Sequence, residues 1–549
     1  MDRRSRLVLL AVLGAGVFLA GLELMVTAVA LPSIVVDLAS WIELREASWV
    51  INGYLLAYVI TMPLAGRLAD QWGVRRLFYA GLAAFTLGSL LAGLAPSLET
   101  LIAARVVQAI GGGILVPVGT AAASHLFDAE ARPRALGVIG GLTFLGMAAG
   151  PFVGAWIIAT IHPAAALDGA GILDGPLRAA LESPWRYVFY VNVPIGIAAL
   201  GLAWAAAQGL ETPRRRGAVD VPGAVAFSLA LGLALVATTL AGSEDIAGLD
   251  ADPAVVLAGL AAIAAVAAAI AAGLGIRHPT GFLDVRLFRS TTFSSAALVS
   301  LLTGYGLATA IVGGAVFVDR VLYGGPDVQR VALGALAGAV AVGALGSGLA
   351  LRFAGLRPVT VVGLILSTVA LVRMSAWLPT TALAEVAALM AVFGLGFGLT
   401  VTPRSTAAVD ALGRAAFGVA SATVTVARMI GMAVGLAALT AFGSTTIDRL
   451  YDQVYATADS YKLFIPEALR DRPLRDGLVV QALESWASSE AARILVGIFL
   501  VAALVTAVAV VPALALGGRR ILAAESVAES APESAADTSR AGFEEVDIT

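Results

Sequence analysis

The sequence predicts an all-α membrane protein made of two six-helix bundles with two further helices inserted between them. Three observations carry this. Of 549 residues, 59% are hydrophobic and only 13% charged, where soluble domains run near 25% charged; the mean hydropathy is +0.90. Apolar runs long enough to cross a hydrocarbon layer, which takes about 20 residues, recur fourteen times. A polar break in the first half also has a degenerate echo in the second, as in transporters built from repeats.

The fourteen runs lie near 7–31, 48–65, 77–95, 101–124, 135–160, 187–209, 219–241, 253–273, 291–318, 331–350, 358–377, 382–403, 414–443 and 491–516. The first has the basic start of a secretory signal. It is too long for a signal's apolar region and holds Glu23, so it reads as an uncleaved span. An even number of spans puts both termini on one side. The loops assigned there carry Arg3, Arg4, Arg6, Arg67, Arg75, Arg76, Arg132, Arg134, Arg214–Arg216, Arg277, Arg286, Arg289, Arg352, Arg357, Arg404, Arg414, Arg519 and Arg520. That excess makes the side cytoplasmic, in a bacterial cell (inner) membrane. The expected units are a first bundle (1–210), a linker with the inserted pair (211–280), a second bundle (281–520) with an outside extension (444–490), and a disordered cytoplasmic tail (521–549). The tail alternates Ala, Ser and Glu without apolar periodicity. The inserted runs are rich in Ala, Leu and Val all round, which suits contact with lipid.

Several classes are excluded. With no cysteine there is no disulfide, thiolate metal site or cysteine nucleophile. The three histidines, His125, His162 and His278, fall in separate loops, and no nucleotide-binding Gly-x-x-x-x-Gly-Lys-Ser/Thr is present. The chain reads as neither an enzyme nor an ATP-driven pump, with no cofactor beyond a proton gradient, no metal and no nucleic-acid partner; a monomer is expected.

The polar break reads Gly66-Arg67-Leu68-Ala69-Asp70-Gln71-Trp72-Gly73-Val74-Arg75-Arg76. Its glycines permit close approach and a sharp turn, and its charges can pair with neighbouring helix ends. It resembles the loop between helices 2 and 3 of the major facilitator superfamily. Gly348-Leu349-Ala350-Leu351-Arg352-Phe353-Ala354-Gly355-Leu356-Arg357 echoes it, with Arg352 in place of Asp70. Further motifs resemble the fourteen-span drug:proton antiporters of that superfamily. Leu22-Glu23-Leu24-Met25-Val26-Thr27-Ala28-Val29-Ala30-Leu31-Pro32 matches their first-span motif, with Glu for the usual Asp and with Met25 and Ala28 replacing a Thr and an Asn. Leu101-x-x-x-Arg105-x-x-Gln108-x-x-Gly111 resembles the fourth-span motif. Gly146-x-x-x-Gly150-Pro151-x-x-Gly154 resembles the fifth, and Trp185 through Gly196, including Asn192, the start of the sixth. The resemblance implies a major facilitator fold and transport by alternating access. It implies that Asp70, Arg75 and Arg76, with Gly66 and Gly73, latch the cytoplasmic side, and that Arg105 takes part in proton relay.

Read physically, Glu23 is the one carboxylate deep inside an expected span, costly there unless paired, protonated or wetted. Desolvation and a nearby arginine act on its proton affinity in opposite senses, so it suits a proton carrier or, alternatively, a static clamp. Arg105 and Arg428 are the cationic partners within reach. Arg105 could equally serve as a hydrogen-bonding hub. Gly146, Gly150 and Gly154, four residues apart, make a groove for close helix contact, and Pro151 can bend the helix. That favours a packing hinge over direct substrate contact. The middle of the fifth span, Phe144 and Met147, carries no second acid.

The segment Ala415–Leu436 resembles that of the mycobacterial triacylglyceride exporters of the same superfamily, which work with a lipid-carrying lipoprotein. Its apolar pattern runs on past the membrane through Ile447, Leu450, Tyr451, Val454 and Tyr455, at helical spacing. After a turn near Pro466–Pro473 the chain returns from Leu478 through Trp486. The expected function is proton-coupled export of a hydrophobic or amphiphilic substrate, a lipid or glycolipid, with membrane lipids and an extracytoplasmic lipid-carrier lipoprotein as partners. The alternatives are a multidrug efflux antiporter and, in another class, a non-transporting receptor or scaffold.

Overall fold

In a hydrocarbon layer every backbone N–H and C=O has to be satisfied within its own segment, which leaves helix as the conformation for single apolar runs. The computed structural model describes residues 3–38, 49–128, 130–206, 220–240, 253–277, 285–324, 326–412, 416–455, 460–473 and 476–517, and holds helices and no strand among them. The long helices are α1 (Arg3–Leu38), α2 (Trp49–Trp72), α3 (Val74–Leu94), α4 (Leu98–Leu126), α5 (Arg132–Thr160), α6 (Asn192–Ala206), α7 (Val221–Leu240), α8 (Pro253–Arg277), α9 (Thr291–Val316), α10 (Pro326–Ala350), α11 (Leu356–Met374), α12 (Leu383–Leu412), α13 (Phe417–Tyr455) and α14 (Gly477–Val508).

Among the described residues twelve helices are long and apolar enough to cross a membrane. A thirteenth is α5, which bends by 43° between Arg132–Met147 and Phe152–Thr160. The break holds Gly150 and Pro151. The run expected at 219–241 is α7, whose apolar stretch Pro222–Ala234 is shorter than a span. The protein is an integral, multi-pass membrane protein.

The first bundle packs α1 on α5, α3 on α4 and α2 on α4; the second packs α10 on α12, α9 on α13 and α11 on α12. The halves meet along two seams, α2 against α13 and α5 against α10. The inserted α7 and α8 pack on each other, and α7 reaches the seam, touching α2 and α13. Val255, Ile263, Val266, Ile270 and Ile276 of α8 are exposed.

Two sequence expectations are corrected, and the echo differs in its turn from the original. The polar break is no loop: α2 continues to Trp72, and Gly73 alone (φ 91°) turns the chain into α3. An L-residue with a Cβ rarely adopts that conformation. In the echo, Gly355 has φ −72° and caps α11 after five non-helical residues, 351–355, so it lacks the sharp turn of the original. Arg404 belongs to no loop. The last apolar stretch of α12 runs to Leu412, and Arg404 is 1% exposed inside the bundle.

The 39-residue α13 is about 58 Å long at 1.5 Å per residue, well beyond a hydrocarbon core of about 30 Å. Short turns at Ser460–Phe464 and Glu467–Leu469 lead to α14. Val454, Tyr461, Ile465 and Val479 form a small core of their own there, with Phe464 on Trp486 at 4.7 Å between ring centres. The tail 521–549 and Arg214–Arg216, Arg414, Arg519 and Arg520 lie outside the described residues, as do the side chains of Arg3, Pro151, Ile447, Leu450, Tyr451 and Tyr455.

Candidate functional site

Glu23 sits midway along α1 with no exposed surface. Three helices supply its partners. Thr27, one turn on, donates to Oε1 at 3.1 Å; Asn192, the first residue of α6, donates to Oε2 at 2.8 Å; Arg105 of α4 forms an ion pair with Oε1. Among the described residues the arginine that meets Glu23 is thus Arg105, not Arg428. Arg105 also donates to the Val50 carbonyl at 3.3 Å and to Gln108 Oε1, and its guanidinium lies 4.1 Å from the centre of the Tyr54 ring. Gln108 passes the network on to Ser89 Oγ at 2.7 Å. Both oxygens of the acid thus have partners, and the hydrogen bonds continue from Arg105 through Gln108 to Ser89.

This cluster is brought together by close packing. A Cβ on Gly146 would run into the Phe18 carbonyl, and one on Gly150 would stand 2.8 Å from the Leu22 carbonyl; Gly154 faces Val26. With small residues α5 lies backbone against backbone on α1, one turn from Glu23.

Asp70 lies at the far end of α2, 3% exposed. Its two carboxylate oxygens accept from the Gly418 and Val419 N–H groups at 2.9 and 3.0 Å. Those are among the first orphan donors of α13, where the helix dipole favours an anion. A Cβ on Gly66 would stand 2.6 Å from the Gly418 carbonyl. Two more links cross the halves at this end, Arg132 with Asp410 at 2.9 Å and Arg352 with Glu130 at 3.3 Å. Arg75 lies against the Tyr79 hydroxyl and Arg76 is exposed. This end is closed.

Arg428 of α13 and Arg404 of α12 lie elsewhere in the interior. Arg428 caps the Phe144 ring at 5.2 Å from its centre and Arg404 caps Phe397 at 5.0 Å; the two rings pack edge to face at 5.4 Å. Arg404 donates to Thr303 Oγ1 at 2.5 Å.

Two apolar cavities flank these groups. One, of about 380 Å³, lies on the Asp70 side between Pro63 and Arg67 of α2, Phe227 of α7, Phe293 of α9 and Ala422 of α13. The other, of about 280 Å³, lies towards the opposite end, between Met25 of α1, Phe144 and Met147 of α5, Leu307 of α9 and Leu333 of α10. Among the described residues no three His, Cys, Asp or Glu side chains could hold a metal ion.

Sequence reasoning missed Asn192 and Arg404. Asn192 stood in a quoted motif, but which helix it faced was not readable. Arg404 follows Pro403, where the span was ended too early.

The profile described as Major Facilitator Superfamily matches residues 13–436. A triacylglyceride transporter of Mycolicibacterium hassiacum is 32% identical over 457 residues, 80% of each chain. One of Mycobacterium tuberculosis is 30% identical over 420 residues, 73% of this chain and 75% of the relative. Among solved structures, a proton:xylose symporter superposes with a TM-score of 0.56 at 11% identity, covering 92% of this chain and 95% of its own. An inward-facing bacterial homologue of the human lysosomal transporter Spinster gives 0.53 at 17% identity, covering 94% and 98%.

Proposed function

The chain belongs to the Major Facilitator Superfamily, and on that premise we propose that it exports a lipid, or another hydrophobic or amphiphilic molecule, by proton-coupled alternating access. The observation that carries the coupling is the Glu23–Arg105–Asn192 cluster. Protonation would remove the charge that holds Arg105 on this carboxylate, which ties proton loading to helix movement. The lipid reading draws on the curated relatives, named triacylglyceride transporters, and on cavities lined mainly by apolar side chains, with Arg67 in one and Gln329 and Arg330 in the other.

In this reading the protein spans a bacterial inner membrane fourteen times with both termini in the cytoplasm. The end closed by Asp70 is cytoplasmic, and the far end opens for release. Asp70, capping α13, holds the inner gate; Arg75 and Arg76 anchor it at the membrane surface. The bend in α5 at Gly150–Pro151 is the hinge. The α13–α14 extension, with Leu463 76% exposed on its tip, guides acyl chains or docks an extracytoplasmic lipid-carrier lipoprotein. A cationic drug fits less well, because Arg105 already holds the acid such a drug would seek.

The test is mass spectrometry of lipids retained by the purified protein, followed by export of those lipids from proteoliposomes. A neutral lipid exported only with a proton gradient is the expected result. Gradient-driven efflux of cationic dyes alone would make it a drug antiporter. Binding without flux would make it a receptor.

A further inference from the structure

The 280 Å³ cavity between α1, α5, α9 and α10 has two unlike ends. Phe144, Leu307, Leu336 and Val340 line its deep end, each no more than 3% exposed. Two polar side chains also line it, Gln329 and Arg330, both half-buried near the start of α10. Val340 lies 11 residues beyond Gln329 in the same helix, about 16 Å at 1.5 Å per residue. The polar pair and the apolar floor therefore stand at opposite ends of one slot. Phe152, at the start of the second arm of α5 and 48% exposed, completes the rim. A Cβ on Gly334, one turn on from Arg330, would meet its ring at 3.2 Å.

The two polar groups select for a kind of headgroup. A guanidinium offers five N–H donors and no acceptor, and a carboxamide two donors and one carbonyl. Among the described residues that line the cavity there is no carboxylate. A ligand rich in hydroxyl or ammonium donors finds little to accept them. A ligand whose polar groups only accept finds donors in excess. A carboxylic ester is such a group: its carbonyl oxygen takes hydrogen bonds, and it has no proton to give. It is also uncharged, so it reaches an apolar slot without the cost of burying an ion. Arg330 engages another group as well, and five donors leave it able to serve both. Ligand sites run to about 300–1,000 Å³, so this cavity is small. It suits one chain and the ester end of a larger lipid.

We propose that Gln329 and Arg330 are specificity residues that donate to the ester carbonyls of a neutral glycerolipid, with one acyl chain running inward to Phe144. The inference rests on the lipid-export reading and deepens it: the substrate is recognised through its ester linkages and not by apolar burial alone. A site built to hydrogen-bond a substrate group rejects an analogue that lacks it, because its own donors are then left unpaired.

The test is competitive binding to the full-length protein in neutral detergent, read by native mass spectrometry. The probes are tripalmitin and its tri-O-hexadecyl ether analogue, which keeps the three chains and lacks the carbonyls. The wild type is expected to bind the ester at least about tenfold tighter, a difference of about 1.4 kcal/mol. Q329L/R330M should lose that preference and still hold the ether, which shows that the cavity is intact. R330K, which keeps a cationic donor, should still prefer the ester. Equal binding of the two probes by the wild type, or an unchanged preference in Q329L/R330M, overturns the proposal. Tighter binding of palmitate than of tripalmitin also overturns it, since Arg330 would then serve an acid. Lipid export without ester selection removes this inference and leaves the export reading standing. Failure to bind or export either lipid removes the lipid reading, and this inference with it.

Discussion

Asn192 Nδ2 lies 2.8 Å from Glu23 Oε2, on the oxygen that Arg105 leaves unpaired. One acid thereby ties together α1, α4 and α6, and its protonation weakens contacts to two other helices at once. Glu23→Gln keeps the side-chain shape and removes the titratable charge. Uphill transport in proteoliposomes should be abolished while exchange of substrate down its gradient persists. Undiminished uphill transport would leave Glu23 a static clamp.

The same cluster sets a stability cycle. Glu23→Ala strands the Arg105 charge in the interior, a loss of about 3–5 kcal/mol for a broken buried pair. The stacking of Arg105 on Tyr54 and its bond to Val50 offset part of this. Glu23→Ala/Arg105→Met removes both charges and should melt at a higher temperature in detergent than Glu23→Ala alone. Additive losses would mean the two residues do not act as a pair.

What the sequence made legible follows from what is local. Long apolar runs read correctly as helices because backbone satisfaction in lipid depends on each segment alone. Glu23 and Arg105 were picked out because a charge in an apolar run is visible without any fold. Their pairing was not readable, since it depends on which helices are neighbours: Arg105 is 82 residues away and Asn192 is 169 away. Arg404 was lost at a span boundary. Gly73 was expected within a loop, but helical contacts extend α2 up to it, so the turn takes a single residue.

Asp70 closes one end by capping a helix of the other half, and the strength of that latch can be estimated. Losing a cap costs about 1 kcal/mol, and a partly buried charge at a helix terminus is worth up to ~2 kcal/mol. Asp70→Ala should therefore shift the gate equilibrium towards opening at this end by roughly five- to thirtyfold. The absence of cysteine gives a clean background for spin labels at Trp72 and Phe353, both exposed and on opposite halves. A longer distance population should grow in Asp70→Ala. An unchanged distribution would assign the latch to Arg132–Asp410 instead.

Packing of α5 on α1 gives a prediction with an internal control. Gly146→Ala puts a methyl into the Phe18 carbonyl, a backbone atom that cannot rotate away. The helices have to part, at about 1–3 kcal/mol for an overpacked contact, and Glu23 moves with α1. Gly201→Ala in α6 meets nothing within 4 Å and should match or slightly exceed wild-type stability. Thermal shifts of equal size for the two variants would show that the glycine spacing of α5 does not matter.

The extension of α13 and α14 has its own small core, so it can be removed as a unit. Among the described residues Val454, Tyr461, Ile465 and Val479 form a cluster apart from the larger cores, which makes the extension separable in packing terms. Tyr323 is tied to it by a hydroxyl donated to the Glu484 carbonyl at 2.9 Å. If these helices guide lipid away from the membrane, replacing 448–483 by a short Gly/Ser link should sharply reduce delivery of a fluorescent lipid to acceptor vesicles. Efflux of a soluble dye that needs no guide should change little. A weaker form, Val479→Asp, opens the small core without shortening the chain and should fall between the two. Equal loss of lipid and dye transport would mean that the extension stabilises the outward end of the bundle and has no separate part in lipid delivery.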